Sequence, residues 1–426
     1  GLLMHRLFRP ETTSDKGLVE QAQDRTAPKG MLFHHATEGK PLATPWQVAS
    51  LRAGLLAAYS LPDGYIVDCA CGSGVQLAAY ATTLRRAVLG VELDEGRARA
   101  SAVNLKTVVD HHRASASDWY RSSIILSGDG TDPEGVFSTL EEEASIAFLH
   151  LDPARPRNSR THDLSEMQPP LSAVLSAWAP FFTTDALPSI LLDLSPRLTT
   201  AQQQEVEAKV DEIWPGLPRT WEWTSRGRGR VDRLALWLGG VADIKASKRF
   251  VRVPPSLGQK ARTLSTSAVS EAPVPLRHPP KRGEYVSILD AALMESGLID
   301  AWLDDVLPNV SYRWGVVSGR RPQLHHDQAL RLSPEDTLLV QASGRVVGLV
   351  RMRLDETTVD ELVAAAIEHN FSSLTLRLDL PPESQPRLQG SLDRQLRRRG
   401  GEREGFVALH PDGEVLLLCV SQTDVV

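Results

Sequence analysis

The stretch IVDCACGSGVQLAAY, residues 66–80, joins an apolar segment to a Gly-x-Gly turn and then to small apolar residues. The apolar segment is typical of a buried strand, and the residues after the turn are typical of a helix. Gly72 and Gly74 would let backbone N–H groups approach a ligand closely. The stretch therefore predicts a binding site for a nucleotide-like ligand where a strand ends.

The same alternation continues to about Leu238. Apolar runs of strand length are separated by longer amphipathic pieces, and these runs are YIVDCA, AVLGVEL, SIAFLHLD, SILLDLS and RLALWLG. Strands that are apolar on both faces and separated by helices are typical of a parallel sheet covered on both sides. The sequence therefore predicts an α/β fold with a doubly wound, Rossmann-like sheet over residues 61–253.

Three further segments precede or follow this predicted sheet in the sequence. Residues 1–60 are predicted to be a helical segment, because TPWQVASLRAGLLAAY carries apolar residues at helical spacing. Residues 254–284 are rich in Pro, Ser and basic residues without periodicity, which predicts a linker or an extended wrap. Residues 285–426 are predicted to form a small α+β domain.

Within that last domain, SILDAALMESGLIDAWLDDV is predicted to be a helix. The run DTLLVQASGRVVGLVRMRL is predicted to be a hairpin that turns at Ser343-Gly344. A helix, a strand, a second helix and a pair of strands are expected after it.

Composition limits the classes of function. The chain has 426 residues and a net charge of −6, so any basic surface for nucleic acid must be local. No apolar run is long enough for a membrane span, and the first residues lack the pattern of a signal peptide. Three cysteines give no disulfide framework, and Cys69 and Cys71 lack a second Cys/His pair at metal-ligand spacing. We expect a cytoplasmic protein without a metal.

Acidic residues around the turn indicate which ligand it holds. Asp68 precedes the turn and would repel a pyrophosphate, while Leu77 stands where a dinucleotide-binding turn has its third small residue. Glu92, about 20 residues past the turn, is placed to hold ribose hydroxyls. Asp129 follows a third apolar piece and could accept from an adenine amino group. These positions favour S-adenosylmethionine over a dinucleotide.

This layout resembles class I S-adenosylmethionine-dependent methyltransferases over roughly residues 60–240. The resemblance implies that Asp68 faces the methionine end, the glycines the bend, Glu92 the ribose and Asp129 the adenine. The predicted cofactor-binding residues are Asp68, Cys69, Gly72, Gly74, Glu92 and Asp129.

The fourth strand leads into LHLDPARP, at the edge where such sheets bind ligands. Methyltransferases that act on base amines carry an Asp-Pro-Pro-aromatic type of motif here, and this chain has Ala154 and Arg155 at the last two positions. Asp152 could accept a hydrogen bond from a substrate amine, and Arg155 could hold a phosphate or stack on a base. Asp152, Pro153 and Arg155 are the predicted catalytic residues. Methylation at base C5 is set aside, because no cysteine nucleophile lies near the substrate edge.

Several longer blocks resemble one group of bacterial methyltransferases. ATPWQVASLRA, LDPAR, WEWTSRGRGRVDRLALWLG and EYVSILDAALMESGLIDAW are similar to methyltransferases with a C-terminal THUMP-like domain, themselves similar to RNA cap guanine-N2 methyltransferases. The resemblance implies methyl transfer, with RNA as the suspected acceptor and the substrate unassigned. We predict methyl transfer to an exocyclic amine of a base in structured RNA, either transfer RNA or ribosomal RNA.

Local charge agrees with RNA. Residues 219–262 hold eleven Lys and Arg residues against three acids, and the predicted substrate-binding residues are Arg226, Arg228 and Arg230. Trp221 and Trp223 beside them are either stacking platforms for bases or core residues of a strand. The cluster could equally be a solvated face.

Two other functions stay open at this point: methyl transfer to a protein or small molecule, and a non-catalytic RNA-binding module that keeps a vestigial cofactor pocket. The histidine pairs at 34–35, 111–112 and 325–326 are expected in surface loops.

Overall fold

The computed structural model describes residues 6–36, 44–140, 143–152, 169–269, 271–422 and 424–425. The chain divides into two units. The N-terminal unit contains Gly1–Trp223, Asp232–Lys248 and Pro255–Gly258. The C-terminal unit contains Thr224–Val231, Arg249–Pro254 and Gln259–Val426.

The first ten strands and seven helices in chain order belong to the N-terminal unit, apart from the last two residues of β9. The strands are β1 (Arg6–Phe8), β2 (Val19–Glu20), β3 (His34–His35), β4 (Tyr65–Asp68), β5 (Val88–Glu92), β6 (Ile124–Ser127), β7 (Ile146–Leu151), β8 (Ser189–Leu194), β9 (Arg219–Ser225) and β10 (Arg233–Gly239). The helices are α1 (Trp46–Ala57), α2 (Val75–Leu84), α3 (Glu95–His111), α4 (Asp118–Ser122), α5 (Pro133–Ser138), α6 (Leu171–Trp178) and α7 (Thr200–Ile213).

The main sheet of this unit has the order β1-β6-β5-β4-β7-β8-β10-β9. Strands β6, β5, β4, β7 and β8 are parallel, whereas β1 and β10 pair antiparallel with β6 and β8. The strand order reverses between β4 and β7, and ligands in doubly wound sheets bind at the carboxyl ends of strands at such a point. The predicted doubly wound α/β fold is confirmed.

Burial explains why the central strands read as unbroken apolar runs. Every residue of β5 and β7 is buried, as expected for strands covered on both faces. Small residues let helices α1 and α2 pack closely, and Ala49, Ala53, Ala78 and Ala79 are completely buried. The larger side chains of Tyr80, Phe148 and Trp237 fill the space that remains in this core.

The prediction of helix over residues 1–60 is correct only for α1. Before α1 the described chain forms the short strands β1 to β3, and β1 extends the main sheet by pairing Arg6 with Ser127 and Phe8 with Ile125. This edge pairing depends on a partner far along the chain, so local periodicity does not reveal it. The start of α1 is also capped from a distance, because the Trp46 N–H donates to Asp24 Oδ2 at 2.8 Å.

The C-terminal unit contains a second sheet. The remaining strands of the chain, which apart from Lys248 belong to this unit, are β11 (Lys248–Arg252), β12 (Arg262–Thr266), β13 (Tyr285–Leu289), β14 (Tyr312–Val316), β15 (Gln323–His326), β16 (Arg331–Leu332), β17 (Val340–Arg351), β18 (Phe371–Arg377), β19 (Arg403–Leu409), β20 (Val415–Ser421) and β21 (Asp424–Val425). Its helices are α8 (Ala291–Ser296), α9 (Ile299–Val306), α10 (Val359–Glu368) and α11 (Gln385–Arg399). The sheet order is β14-β15-β13-β17-β20-β19-β18, with only the pair β18/β19 parallel among these strands. The predicted α+β character is confirmed.

Two local predictions in this unit were wrong. The run predicted as one helix begins with β13 and continues as α8 and α9, which are separated at Gly297 with φ +76°. The predicted hairpin at Ser343-Gly344 is instead part of one uninterrupted strand, β17. Gly344 serves close packing there, because a Cβ at this position would lie 2.2 Å from the Val420 carbonyl oxygen on β20.

The pair His325-His326 was wrongly predicted to lie in a surface loop. Both histidines are fully buried in β15, where Ser287 Oγ lies 2.7 Å from His326 Nε2 and Gln323 Oε1 lies 2.6 Å from His325 Nε2. Burial lowers the pKa of His325 to about 3 and that of His326 to about 4, so both rings are neutral at pH 7.

Candidate active site

A cavity of about 300 Å³ lies at the carboxyl ends of β4, β5, β6 and β7, at the point where the strand order reverses. Cys69, Glu92, Asp129 and Asp152 all line it. These four residues come from four different strand ends, and the sequence predicted each of them as a site residue. The volume is at the lower end of the range for small-molecule sites.

The glycine turn between β4 and α2 contacts Glu92 of this cavity through the Gly72 N–H, although neither Gly72 nor Gly74 is among the residues that line it. Gly72 has φ +53° and no heavy atom within 4 Å of an added Cβ, so it faces open space. Gly74 has φ +78° and is the N-cap of α2. A Cβ on Gly74 would lie 2.2 Å from Ser101 Oγ, so this glycine is what lets the turn pack against α3.

Substitution of the two glycines should separate backbone strain from steric clash. Gly72→Ala is expected to lower the free energy of unfolding by about 1–2 kcal/mol, the cost of a left-handed backbone conformation for alanine. Gly74→Ala adds the clash with Ser101 and should cost about 3–5 kcal/mol. Urea denaturation of the two variants measures both effects, and equal losses would contradict the packing role of Gly74.

Glu92, the last residue of β5, is held by the turn. Its Oε2 accepts the Gly72 N–H at 3.3 Å, and its Oε1 accepts the Asp94 N–H at 3.5 Å. Arg97 Nη1 lies 3.8 Å from the same Oε1. Burial raises the pKa of Glu92, and the two N–H groups act in the opposite direction. These long bonds leave the carboxylate oxygens able to accept from a diol in the cavity.

Asp129 follows β6 in a short loop of its own. Its Oδ1 accepts from the Thr131 backbone N–H at 2.9 Å and from Thr131 Oγ1 at 2.6 Å. This Asx-type turn fixes the side chain while Oδ2 makes no hydrogen bond within the described parts of the chain. One acceptor of Asp129 is therefore available to a ligand.

Asp68 and Cys69 occupy different surroundings although they are adjacent. Asp68 does not line the cavity but is buried, with its Oδ1 accepting the Ala70 N–H at 3.1 Å. Burial raises the pKa of Asp68, which His150 opposes. Cys69 lines the cavity, and burial together with Asp68 raises the pKa of its thiol well above the usual value. Cys69 is thus a thiol at neutral pH.

Asp152 directly follows β7 and lines the cavity. Loss of water around its carboxyl group, followed by the negative charge of Asp193, raises the pKa of Asp152 to about 6, although part of the residue surface is exposed. Pro153 and Arg155, which were predicted to act with Asp152, lie outside the described residues. Of the three predicted catalytic residues, only Asp152 is placed by the structure.

The sequence did not reveal a buried network next to Asp152. Arg52 of α1 makes two hydrogen bonds of 2.9 Å to the two oxygens of Asp193 on β8. His150 Nε2 lies 2.6 Å from Asp193 Oδ2, and His150 Nδ1 lies 2.9 Å from Tyr80 Oη. Only 3% of the Arg52 side chain and 13% of the Asp193 side chain are exposed, so water hardly screens this pair.

Charge pairing sets the protonation of this network. Burial alone would raise the pKa of Asp193, but Arg52 and His150 hold it well below its usual range. Burial alone would lower the pKa of His150, but Asp68 and Asp193 raise it above its usual value. Arg233 is a further cation near Asp193 and Asp152. Asp152 thus lies beside a fixed array of charges.

A polar residue in a strand that is buried on both faces would have indicated this network. Asp193 interrupts the apolar run SILLDLS, and His150 interrupts SIAFLHLD. A charge in such a strand needs a partner, because burying it alone is costly. The sequence carries that signal, but it does not name Arg52 as the partner.

The predicted substrate-binding arginines lie in the C-terminal unit. Gly227 and Arg230 pair across a tight turn whose central residues, Arg228 and Gly229, have φ +59° and +68°. This is the geometry of a type I′ hairpin turn. Arg226, Arg228 and Arg230 are all exposed. Trp221 and Trp223 are buried, so of the two alternatives the core role in β9 is correct and base stacking by these tryptophans is wrong.

Two absences concern only the described residues. Within them, no group of His, Cys, Asp and Glu side chains is arranged to hold a metal ion. Within the same residues, every helix is too short or too polar to cross a membrane.

The sequence matches no protein-family model and no curated protein, whereas comparison with solved structures finds similar folds. The "putative methyltransferase" of Porphyromonas gingivalis W83 matches with a TM-score of 0.54 and 14% identity, covering 89% of this chain and 81% of that chain. The 16S rRNA N2 G1207 methyltransferase of T. thermophilus matches with a TM-score of 0.34 and 16% identity, covering 52% of this chain and 50% of its own. The first match shows that this chain has a methyltransferase fold.

Proposed function

We propose that this chain, with its methyltransferase fold, is an S-adenosylmethionine-dependent methyltransferase that modifies an exocyclic amine of a base in structured RNA. The observation that carries the proposal is the meeting of Glu92, Asp129, Cys69 and Asp152 around one cavity at the switch point of the sheet. Each residue comes from a different strand end, and Glu92, Asp129 and Asp152 carry the acceptor oxygens that their proposed roles need.

The residues fit the proposed methyl donor. Glu92 would hold the ribose hydroxyls, since its oxygens are bound only by long hydrogen bonds. Asp129 Oδ2 would accept from the adenine amino group. Gly72 leaves open space beside the turn, where a side chain would otherwise intrude. When bound, S-adenosylmethionine supplies an electrophilic methyl group on a sulfonium.

Asp152 is the proposed catalytic residue. Its pKa of about 6 leaves it mostly ionised at pH 7, so it can accept a hydrogen bond from the acceptor amine. That bond orients the nitrogen lone pair, and positioning of this kind can supply most of the rate. Burial and then the negative charge of Asp193, which the Arg52 guanidinium keeps ionised, hold the pKa of Asp152 raised.

The exposed arginine turn supports RNA as the acceptor. Arg226, Arg228 and Arg230 present guanidinium groups that suit the phosphates of a nucleic acid backbone. We further propose that the C-terminal unit acts as the RNA-binding part, in line with its sequence resemblance to THUMP-like domains.

Calorimetric binding of S-adenosylmethionine tests the proposal. Wild-type protein should bind in the micromolar range, and Glu92→Ala should weaken binding about 100-fold because two charged hydrogen bonds are lost. Glu134→Ala, which removes an exposed acid on α5, is the matched control and should leave affinity unchanged. Binding would justify assays of labelled methyl incorporation into transfer RNA and ribosomal RNA.

Two results would count against the proposal. Absence of binding by the wild-type protein would exclude methyl transfer from this donor. Binding with methyl incorporation into protein or a small molecule, and not into RNA, would keep the reaction but replace the acceptor.

A further inference from the structure

The C-terminal unit contains a second and larger cavity of about 960 Å³. Five arginines line it: Arg228, Arg230, Arg252, Arg320 and Arg321. The cavity is also lined by two acidic residues, Asp290 and Glu295, so its lining carries more positive than negative side chains. Cations gathered in a concave surface concentrate the electric field, so this cavity attracts anions more strongly than the same charges would on a flat surface.

The arginines are brought together by separate parts of the chain. Arg228 and Arg230 come from the type I′ turn, in which the Arg230 N–H donates to the Gly227 carbonyl at 3.3 Å. Arg252 lies directly against that turn, because a Cβ on Gly227 would be only 2.7 Å from Arg252 Nη2. Its Nη1 donates to the Val253 carbonyl at 2.6 Å, which fixes the direction of the guanidinium.

Arg320 and Arg321 come from the loop between β14 and β15. Gln341 on β17 holds this loop, since its Nε2 donates to the Arg320 carbonyl at 2.8 Å and to the Leu289 carbonyl at 2.9 Å. Arg321 Nε lies 3.4 Å from Asp379, whose side chain is largely exposed. The loop is thus tied to two strands of the second sheet, which reduces its freedom before any ligand binds.

Asp290 gives the cavity a second kind of contact. The residue is only 6% exposed, yet it lines the cavity, and its Oδ2 has no hydrogen-bond partner in the described part of the chain. Buried polar atoms are nearly always paired, so an oxygen without a hydrogen bond, in a residue that lines a cavity, can accept from a donor on a ligand. Burial raises the pKa of Asp290, and the nearby Arg252 together with the backbone N–H groups of Leu293 and Ala292 opposes the rise.

We propose that this cavity binds a nucleoside phosphate, with the arginines on the phosphate oxygens and Asp290 accepting from a ribose hydroxyl or a base amine. A simple inorganic anion would leave Asp290 unpaired, and a neutral amine would leave the arginines unused. The link to RNA rests on the proposed function, whereas binding of a nucleoside phosphate does not.

Calorimetry on the full-length protein, without any methyl donor, tests this site. The ligands are GMP, AMP, a short 5′-phosphorylated oligoribonucleotide and inorganic phosphate. Arg320→Gln and Arg321→Gln should each weaken nucleotide binding about tenfold, because each removes a charge-assisted contact to phosphate. Arg320 is exposed, so its loss should leave the fold intact, whereas only 26% of the Arg321 side chain is exposed, so urea denaturation of Arg321→Gln must first show that the variant is folded.

Asp290→Asn distinguishes a nucleoside from a bare anion. It should weaken binding of the nucleotides and the oligoribonucleotide about fivefold, because an amide accepts a hydrogen bond less strongly than a carboxylate, while inorganic phosphate binds no more weakly than before. Arg351→Gln removes an exposed arginine of β17 that does not line the cavity, and it should change none of these affinities.

The source of the ligand follows from which probe binds. Binding of GMP or AMP alone identifies a free nucleotide, and binding of the oligoribonucleotide identifies a strand. The proposal is overturned if neither binds, or if Arg351→Gln weakens binding as much as Arg320→Gln does. Titration of S-adenosylmethionine into the same wild-type preparation shows separately whether the proposed methyltransferase function has failed.

Discussion

Replacing Asp193 by alanine is expected to lower the free energy of unfolding by about 3–5 kcal/mol, the usual cost of removing one partner of a buried ion pair. The substitution leaves the Arg52 guanidinium buried without its carboxylate, and it removes the acceptor of His150 Nε2. Both groups would then lack the pairing that offsets their loss of hydration. Urea denaturation of the full-length chain measures the loss.

Two control variants make this result specific. The Asp211 side chain is 46% exposed where it pairs with Arg219. Asp211→Ala breaks this pair and should lower the free energy of unfolding by no more than about 1 kcal/mol. The double variant Arg52→Met/Asp193→Leu removes both charges and should recover most of the stability lost in Asp193→Ala. Equal losses in Asp193→Ala and Asp211→Ala would show that the buried pair has no special importance.

Replacing Asp152 by asparagine is expected to slow single-turnover methyl transfer about 100-fold, within the range found for residues that act on a proton of the substrate. The amide keeps the shape of the side chain but no longer draws the amine proton with a full negative charge. Because the pKa of Asp152 is about 6, the wild-type rate should rise from pH 5 to pH 7 as the carboxyl group loses its proton.

The pH profile separates this role from a structural one. The rise with pH should disappear in Asp152→Asn, because the group that titrates is absent. Asp118→Asn makes the same chemical change at a fully exposed acid of α4 and should leave both the rate and its pH profile as in the wild type. A variant Asp152→Asn that retains the wild-type inflection near pH 6 would assign that titration to another group.

The sequence was sufficient to predict the elements that follow from local pattern. The apolar runs correspond to β4, β5, β7, β8 and β10, because strands covered on both faces must be apolar throughout. The glycine turn and the acids at strand ends could be placed as well. Parallel strands bring their carboxyl ends to one edge, so order along the chain implies proximity in space.

What the sequence did not predict depends on partners that are distant along the chain. The pairing of β1 with β6 and the contact of Arg52 with Asp193 join residues more than 100 positions apart. Gly344 was misread for a related reason. A glycine next to serine suggests a turn, but here it permits close approach to a strand that lies far along the sequence.

The division of the chain also determines when the larger cavity of the C-terminal unit can be completed during synthesis. The chain passes from one unit to the other five times, because Thr224–Val231 and Arg249–Pro254 belong to the C-terminal unit although residues of the N-terminal unit follow them. These two short segments carry Arg228, Arg230 and Arg252, three of the five arginines of the larger cavity. A fragment that begins at Gln259 would lack them. On the ribosome, the first arginines of that cavity therefore emerge well before the strands that complete it.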